Sequence, residues 1–475
     1  MIGTGPLHLT ELIVLLFFTV FAIGYSLLLI QAAIATAREV ERERRRAYSV
    51  ADLAASSSQP SVTIIVPAHQ EAAAIVQTVR SLLAQRWHQL EVLVVANGCT
   101  DGTLEQLVEA YDLQPTSDLL VRPPGARARI RSSWRSSTDP RLRVLDLSAG
   151  GKADASNCGL ERATSEFVLL VDADSLLAPH AVARAMLPFI ELGEQVVAVS
   201  AAIRVLNGAS VDADGYVTSA MPRSLLARMQ MVEYARAFQI GRAGWASIGA
   251  LPLVSGAFGM FRTSVLRAAG GLDPTTVGED LELVLRLHAT VRRGGRRPDI
   301  IFIPEPLCWT EVPEDATVLR AQRQRWHRGL VESVMRHGSM LLNARHGTVG
   351  MLSFPFLGLF ELLAPLIELL GIGALLLAAV TGALSWLVVL ALAMFAVSFG
   401  LALGMGAVLL ELLWGRGYVQ RPRDVATLFV AALLEQLGHR QRTAVWRLHG
   451  LIAGLRGRRA SWGRMHHRGA RAVTD

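Results

Sequence analysis

The tetrapeptide Val-Asp-Ala-Asp occurs twice in the chain, at 171–174 and at 211–214. Two carboxylates at i and i+2 can chelate a hard divalent cation or simply decorate a turn. The first copy closes an apolar run, Phe167–Val171, so Asp172 and Asp174 emerge at the carboxyl end of a buried strand. Alternate strand residues point the same way, which projects the pair together. Open α/β sheets keep their ligands at that end. Two oxygen ligands there suit Mg2+ or Mn2+, whose other positions go to waters and phosphates; a bare strand-end turn is the competing reading. The second copy, with Asp212 and Asp214, lies between Asn207-Gly208 and Gly215 and reads as a solvated turn.

Three other segments carry candidate chemistry. Lys152 follows Gly150-Gly151, and a lysine after flexible glycines can reach a diphosphate as a point charge, or sit in an exposed loop. Glu279 and Asp280 open a helical pattern, Leu281–His288, where a carboxylate can accept a proton or merely favour the helix dipole. Gln322, Arg325 and Trp326 fall in an amphipathic helix after Pro313. The indole offers a flat face to a sugar and the guanidinium can neutralise phosphate; a basic helix lying at a membrane interface has the same composition.

The elements that position these residues alternate. Apolar runs at Val62–Val66, Glu91–Val95, Leu142–Leu147 and Phe167–Val171 have buried-strand character, and helical patterns occupy Ala72–Ala84 and Gly102–Ala110. Alternation predicts an α/β domain with a mostly parallel sheet. Residues Gln114–Asp139, rich in Pro, Ser and Arg, read as a long loop.

The flanks are different. Leu9–Ala35 is long enough to span a bilayer, which needs about 20 apolar residues. Arg38–Arg46 follows and holds its end on the cytoplasmic side. Further apolar stretches run from Met351 to Ala379 and from Leu384 to Leu413, the first interrupted by Pro355, Glu361, Pro365 and Glu368. Val425–Leu437 is too short to cross and precedes a basic tail, which makes it interfacial or re-entrant. The net charge of +7 gathers beside these apolar segments, as at a cytoplasmic membrane face, and argues against a nucleic-acid groove. Three scattered cysteines, Cys99, Cys158 and Cys308, exclude a disulfide framework.

Four motifs in order, TIIVPAHQEAAAIVQTVRSL, VLLVDADSLL, TVGEDLELVLRLH and QRQRW, resemble the membrane-embedded family 2 glycosyltransferases, which include cellulose, hyaluronan and poly-N-acetylglucosamine synthases. The resemblance covers about Ser61–Leu330 and implies a GT-A type α/β domain inserted between transmembrane helices. It further implies a UDP-sugar donor, Mg2+ or Mn2+ and an inverting transfer. By this resemblance Pro67, Ala68, Glu71 and Asn97 bind the nucleotide, although the aspartate common near Asn97 is missing. Lys152 and Asp172 bind the donor diphosphate, Asp174 and Asp172 hold the metal, Asp280 is the base with Glu279 in support, and Gln322, Arg325 and Trp326 serve acceptor and phosphate. Val254–Phe261 resembles the segment beneath the acceptor.

The expected division is a span at 9–35, the cytoplasmic transferase domain at 61–300, interfacial amphipathic helices at 301–348 carrying QxxRW, a transmembrane or interfacial helix at 351–379, a transmembrane helix at 384–413, and an interfacial helix with basic cytoplasmic tail at 424–475. The expected product is a polysaccharide, extended processively and exported across the cell membrane; the alternative is one transfer to a membrane lipid. So few spans suggest a homodimer or an accessory subunit beside the surrounding lipids.

Overall fold

The computed structural model describes residues 6–46, 48–117, 128–212, 216–293, 299–382, 386–415, 417–457 and 471–472. The chain forms two compact units, one of residues 39–223, 251–312 and 460–475, the other of residues 1–38, 224–250 and 313–459.

The first unit is built on a ten-stranded mixed sheet. In chain order its strands are β1 (Val62–Ala68), β2 (Leu90–Asn97), β3 (Leu113–Thr116), β4 (Ile130–Ser136), β5 (Leu142–Leu147), β6 (Phe167–Leu170), β7 (Ser175–Leu177) and β8 (Val196–Val205). A hairpin of β9 (Ser210–Val211) and β10 (Val217–Thr218) stands outside the sheet and pairs with β13 (Arg471–Ala472). The sheet is completed by β11 (Gly259–Arg262) and β12 (Asp299–Thr310), in the order β3-β4-β5-β2-β1-β6-β11-β8-β12-β7. The middle strands β5, β2, β1 and β6 are parallel, as alternation predicts. The central pair β1 and β6 is buried at all but one position because both faces are covered, and β8 is buried at all ten. Thr63 is buried in β1 without penalty, since its hydroxyl bonds Glu91 at 3.1 Å and Ser165 at 2.8 Å.

Two elements differ from expectation. Residues 114–139 are not all loop: β3 and β4 form an antiparallel edge, with 118–127 outside the described residues. Their polar composition suits an edge strand wetted on one side. The division at residue 300 also falls inside β12, whose parallel pairing with β8 carries the sheet on to Thr310.

The helix Lys152–Arg162 packs on β1 and β2 through Gly159, where a Cβ would lie 2.6 Å from Ile65. Only glycine permits that approach, and it fixes the height of Lys152 above the strand ends.

The second unit is helical. Ile13–Arg45 and Val389–Leu412 are long and apolar enough to cross a membrane, and Val349–Leu362 with Ala364–Val380 forms a broken pair bent by 42°. Pro365, in the first turn of the latter segment, removes a donor where the π-helical turn 357–362 ends. A polar chain runs through this unit. Tyr25 donates to Glu361 at 2.8 Å; Arg447 donates to the Glu361 carbonyl at 2.5 Å and carboxylate at 3.3 Å, and to His327 Nδ1 at 3.3 Å. The helix Pro422–Leu434 covers most of the apolar run at 425–437, the backbone leaves helical geometry at Leu437 and Gly438, and Arg440–Leu455 follows.

Candidate active site

Three buried strands, β2, β1 and β6, end at one edge of the sheet, and the loops beyond them converge. After β6, Val171 still bonds Ile65, and then Asp172-Ala173-Asp174 turns into β7. The two aspartates therefore sit on a turn rather than on a continuing strand. The buried Thr78 hydroxyl pins that turn by donating to the Ala173 carbonyl at 2.8 Å, and Ser175 N–H closes it on the Asp172 carbonyl at 3.1 Å. Asp174 Oδ1 accepts from Ser175 at 3.2 Å and Thr310 at 3.3 Å, so the far end of β12 helps orient it.

Lys152 Nζ lies against Asp172 Oδ1 and 3.9 Å from Glu279 Oε1. Burial alone would pull its pKa down; Asp172 and then Glu279 outweigh burial and hold it above the ordinary lysine value. Glu279, 6% exposed, is pushed up to about 7 by burial, opposed by Lys152 and reinforced by neighbouring Asp280. Asp280 is half-buried and, with Pro67, Lys152, Gly256 and Glu279, lines a small pocket. At Gly256 a Cβ would lie 2.9 Å from Lys152 Nζ and 3.9 Å from the Asp172 carboxylate, so the absent side chain keeps this space open.

Residues beyond the candidate site itself hold the acidic pair in place: Asn157, outside the four motifs, and Arg286 with Glu282, inside the third. Asn157 grips Leu272 through both its amide groups at 2.7 Å. Arg286 bonds the Gly271 carbonyl at 2.8 Å while paired with Glu282, also at 2.8 Å. Together they clamp the loop that delivers Glu279 and Asp280. Sequence reasoning misses both, because their only signal is polarity inside helical patterns.

The proposed nucleotide segment is similarly tied. Asn97 is buried; its Oδ1 accepts from Gly150 N–H at 2.8 Å, so this residue links β2 to the loop before Lys152. His69 Nδ1 donates to the Asn97 carbonyl at 2.7 Å. Glu71 N–H donates to Thr103 at 2.9 Å, and Asp101 accepts from Ala72 N–H at 3.0 Å. Burial would raise the Asp101 carboxyl, but bonds from Thr103 and Ala72 win and lower it. Ala68 and Pro67 end β1 above this network.

The second Val-Asp-Ala-Asp behaves as a turn. Asp212 Oδ1 accepts from Tyr216 N–H at 2.8 Å within the β9–β10 hairpin, and Asp214 lies outside the described residues.

Gln322, Arg325 and Trp326 belong to the other unit, on the helix Ala316–Arg336 capped by Asp315 at 2.7 Å to Thr317 N–H. The structure thus brings Lys152, Asp172, Glu279 and Asp280 together and places these three on a separate body. Trp326 is 44% exposed and Gln322 is buried. The helix crosses Arg440–Leu455 at Gly450 and Gly454, where added Cβ atoms would fall 2.5 Å from the Gln324 carbonyl and 2.8 Å from Val331.

Among the described residues no group of three or more His, Cys, Asp or Glu side chains could enclose a metal ion. Two carboxylates on a pinned turn are nevertheless a fitting donor set for Mg2+ or Mn2+, which commonly complete their shell with waters and substrate phosphates.

The chain belongs to glycosyl transferase family group 2, whose model matches residues 167–405, half of its length. The glycosyl transferase family 2 model matches residues 63–211. Among curated relatives, the poly-beta-1,6-N-acetyl-D-glucosamine synthase of Staphylococcus epidermidis is 25% identical over 276 residues, 58% of this chain and 56% of that protein. The synthase of Staphylococcus aureus is 25% identical over 279 residues, with the same coverage. The chain therefore spans about half the length of the curated relatives it matches. Among solved structures, a mannosyltransferase of Pyrobaculum calidifontis in complex with GDP-Man and Mn2+ is 21% identical, with a TM-score of 0.49 over 88% of this chain and 98% of that one. Glucosyl-3-phosphoglycerate synthase of Mycobacterium tuberculosis, in complex with Mn2+ and UDP-glucose, is 16% identical, with a TM-score of 0.36 over 62% and 85%.

Proposed function

We propose that this family member is a membrane-bound inverting β-glycosyltransferase that uses a UDP-sugar to extend a polysaccharide, processively and with export through the membrane. The observation that carries the reading is one small pocket at the ends of parallel strands, lined by Lys152, Glu279 and Asp280, with Asp172 paired to Lys152. Its relatives named as poly-N-acetylglucosamine synthases support the polymeric product.

In this reading the acceptor hydroxyl oxygen attacks the anomeric carbon as the bond from that carbon to the diphosphate oxygen breaks. Asp280 takes the hydroxyl proton, and Glu279 keeps Lys152 and Asp280 in register. Lys152 draws the diphosphate charge, while Pro67, Ala68, Glu71 and Asn97 frame the nucleotide. A divalent cation held by Asp172 and Asp174 would supply charge neutralisation to the leaving diphosphate. Gln322, Arg325 and Trp326 are assigned to acceptor and phosphate by their motif. The transferase domain and the basic segments face the cytoplasm, and the apolar helices make the protein multi-pass in the cell membrane.

The test is incubation of the purified protein with labelled UDP-sugars and Mg2+ or Mn2+, followed by sizing of the product. A polymer whose formation stops with EDTA is expected. A label found only in a lipid-sized product overturns the polymer reading in favour of single transfer to a membrane lipid.

A further inference from the structure

The motif QxxRW leaves its second and third positions open, yet in Gln322-Arg323-Gln324-Arg325-Trp326 the second is filled by a buried arginine. Arg323 and Trp326 are three residues apart on one helix and therefore neighbours on its surface. The Arg323 guanidinium carbon stands 4.5 Å above the centroid of the Trp326 ring. The same guanidinium donates to Glu233 Oε2 at 2.8 Å, on the helix Leu225–Ala235 of the same unit. Arg323 is 5% exposed and Trp326 44% exposed, so a buried, anchored cation lies under a half-exposed ring. Beside them, Gln322 Oε1 is buried with no hydrogen-bond partner among the described residues.

We propose that Arg323, held by Glu233, is a positioning residue for acceptor handling: it closes one face of the Trp326 indole and leaves the opposite face for a sugar ring. A half-exposed tryptophan without this stack can exchange rotamers, and each exchange spoils the platform. The stack removes that freedom before the acceptor arrives, which lowers the ordering cost of binding. A cation over one face also excludes sugars from that face, so the acceptor docks with a single handedness relative to the helix. The inference rests on the reading of Trp326 as an acceptor platform.

The test uses the full-length enzyme in detergent and measures UDP release, product length, apparent acceptor affinity and melting temperature together. Trp326→Ala is the reference. Arg323→Ala should shorten products and weaken acceptor use by about threefold to tenfold, with UDP release to water and melting temperature kept. Glu233→Gln should change product length in the same direction, less strongly. Arg323→Lys should fall between, since it keeps the charge but loses the flat stacking fork. If Trp326→Ala shortens products and Arg323→Ala does not, the positioning role is overturned. It is overturned equally if Arg323→Ala and Arg323→Lys lose melting temperature and UDP release in parallel with product length. If Trp326→Ala itself leaves product and acceptor use unchanged, the platform reading fails instead.

Discussion

The Lys152 ammonium rests on the Asp172 carboxylate and reaches to within 3.9 Å of Glu279, so one internal cation serves two acids in this conformation. A divalent cation that takes Asp172 has to displace it. Lys152→Met should therefore tighten Mn2+ binding in the absence of nucleotide, by about tenfold for a removed like charge at this range. The same change should weaken UDP binding. Electron paramagnetic resonance of free Mn2+ reads the first effect directly; an unchanged Mn2+ affinity would mean that Lys152 leaves Asp172 without cost.

The two Val-Asp-Ala-Asp segments should separate in activity. Asp172→Asn or Asp174→Asn should abolish transfer, whereas Asp212→Asn should leave it nearly intact, because Asp212 holds a hairpin turn through Tyr216. Asp280→Asn should remove turnover by at least about a hundredfold while UDP-sugar binding stays close to normal. Calorimetric titration of the donor beside an initial-rate assay distinguishes loss of the base from loss of the donor site.

The alternating sheet is legible in the sequence because strands buried on both faces must be apolar throughout, and the runs at Val62 and Phe167 leave little choice of structure. The first Val-Asp-Ala-Asp is legible as a candidate site because such a run ends at it. Its local geometry is not: Thr78, 95 residues away, pins the turn from outside by a hydrogen bond to the Ala173 carbonyl. The edge hairpin β3–β4 reads as loop because its polar residues face water on one side. The clamp of Asn157 and Arg286 is invisible for a different reason, since it acts on the backbone N–H and carbonyl groups of Gly271 and Leu272, which carry no sequence signature.

The His327 imidazole is pushed down to about 3 by burial and by the adjacent Arg447 guanidinium. Between pH 6.5 and 3 the unfolded chain therefore binds a proton that the folded chain refuses, and stability falls as pH falls through that window. At pH 5 the loss from this group is about 2 kcal/mol. Melting in detergent should drop between about pH 7 and 5 in the wild type and drop less in His327→Gln. Parallel curves would assign the acid sensitivity to other groups.

The crossing at Gly450 should tolerate no side chain, since the nearest atom is the rigid Gln324 carbonyl. Gly450→Leu should destabilise the helix pair by roughly 1–3 kcal/mol or more. Gly373→Leu, where a Cβ meets nothing within 4 Å, is the control and should melt like the wild type. Equal melting of both variants would show that the pair separates to admit leucine.

The chain Tyr25–Glu361–Arg447–His327 joins residues that leave the ribosome far apart in time. When Glu361 is synthesised, Tyr25 is already available, but Arg447 is still 86 residues away. During that interval the acid lacks the guanidinium that pairs with it in the finished protein. An acid among apolar helices is costly until paired, so the helix Arg440–Leu455 supplies the last partner that Glu361 needs. Chains truncated before residue 440 should accordingly be degraded faster than the full chain, even though both helices long enough to cross a membrane and every candidate site residue precede that point.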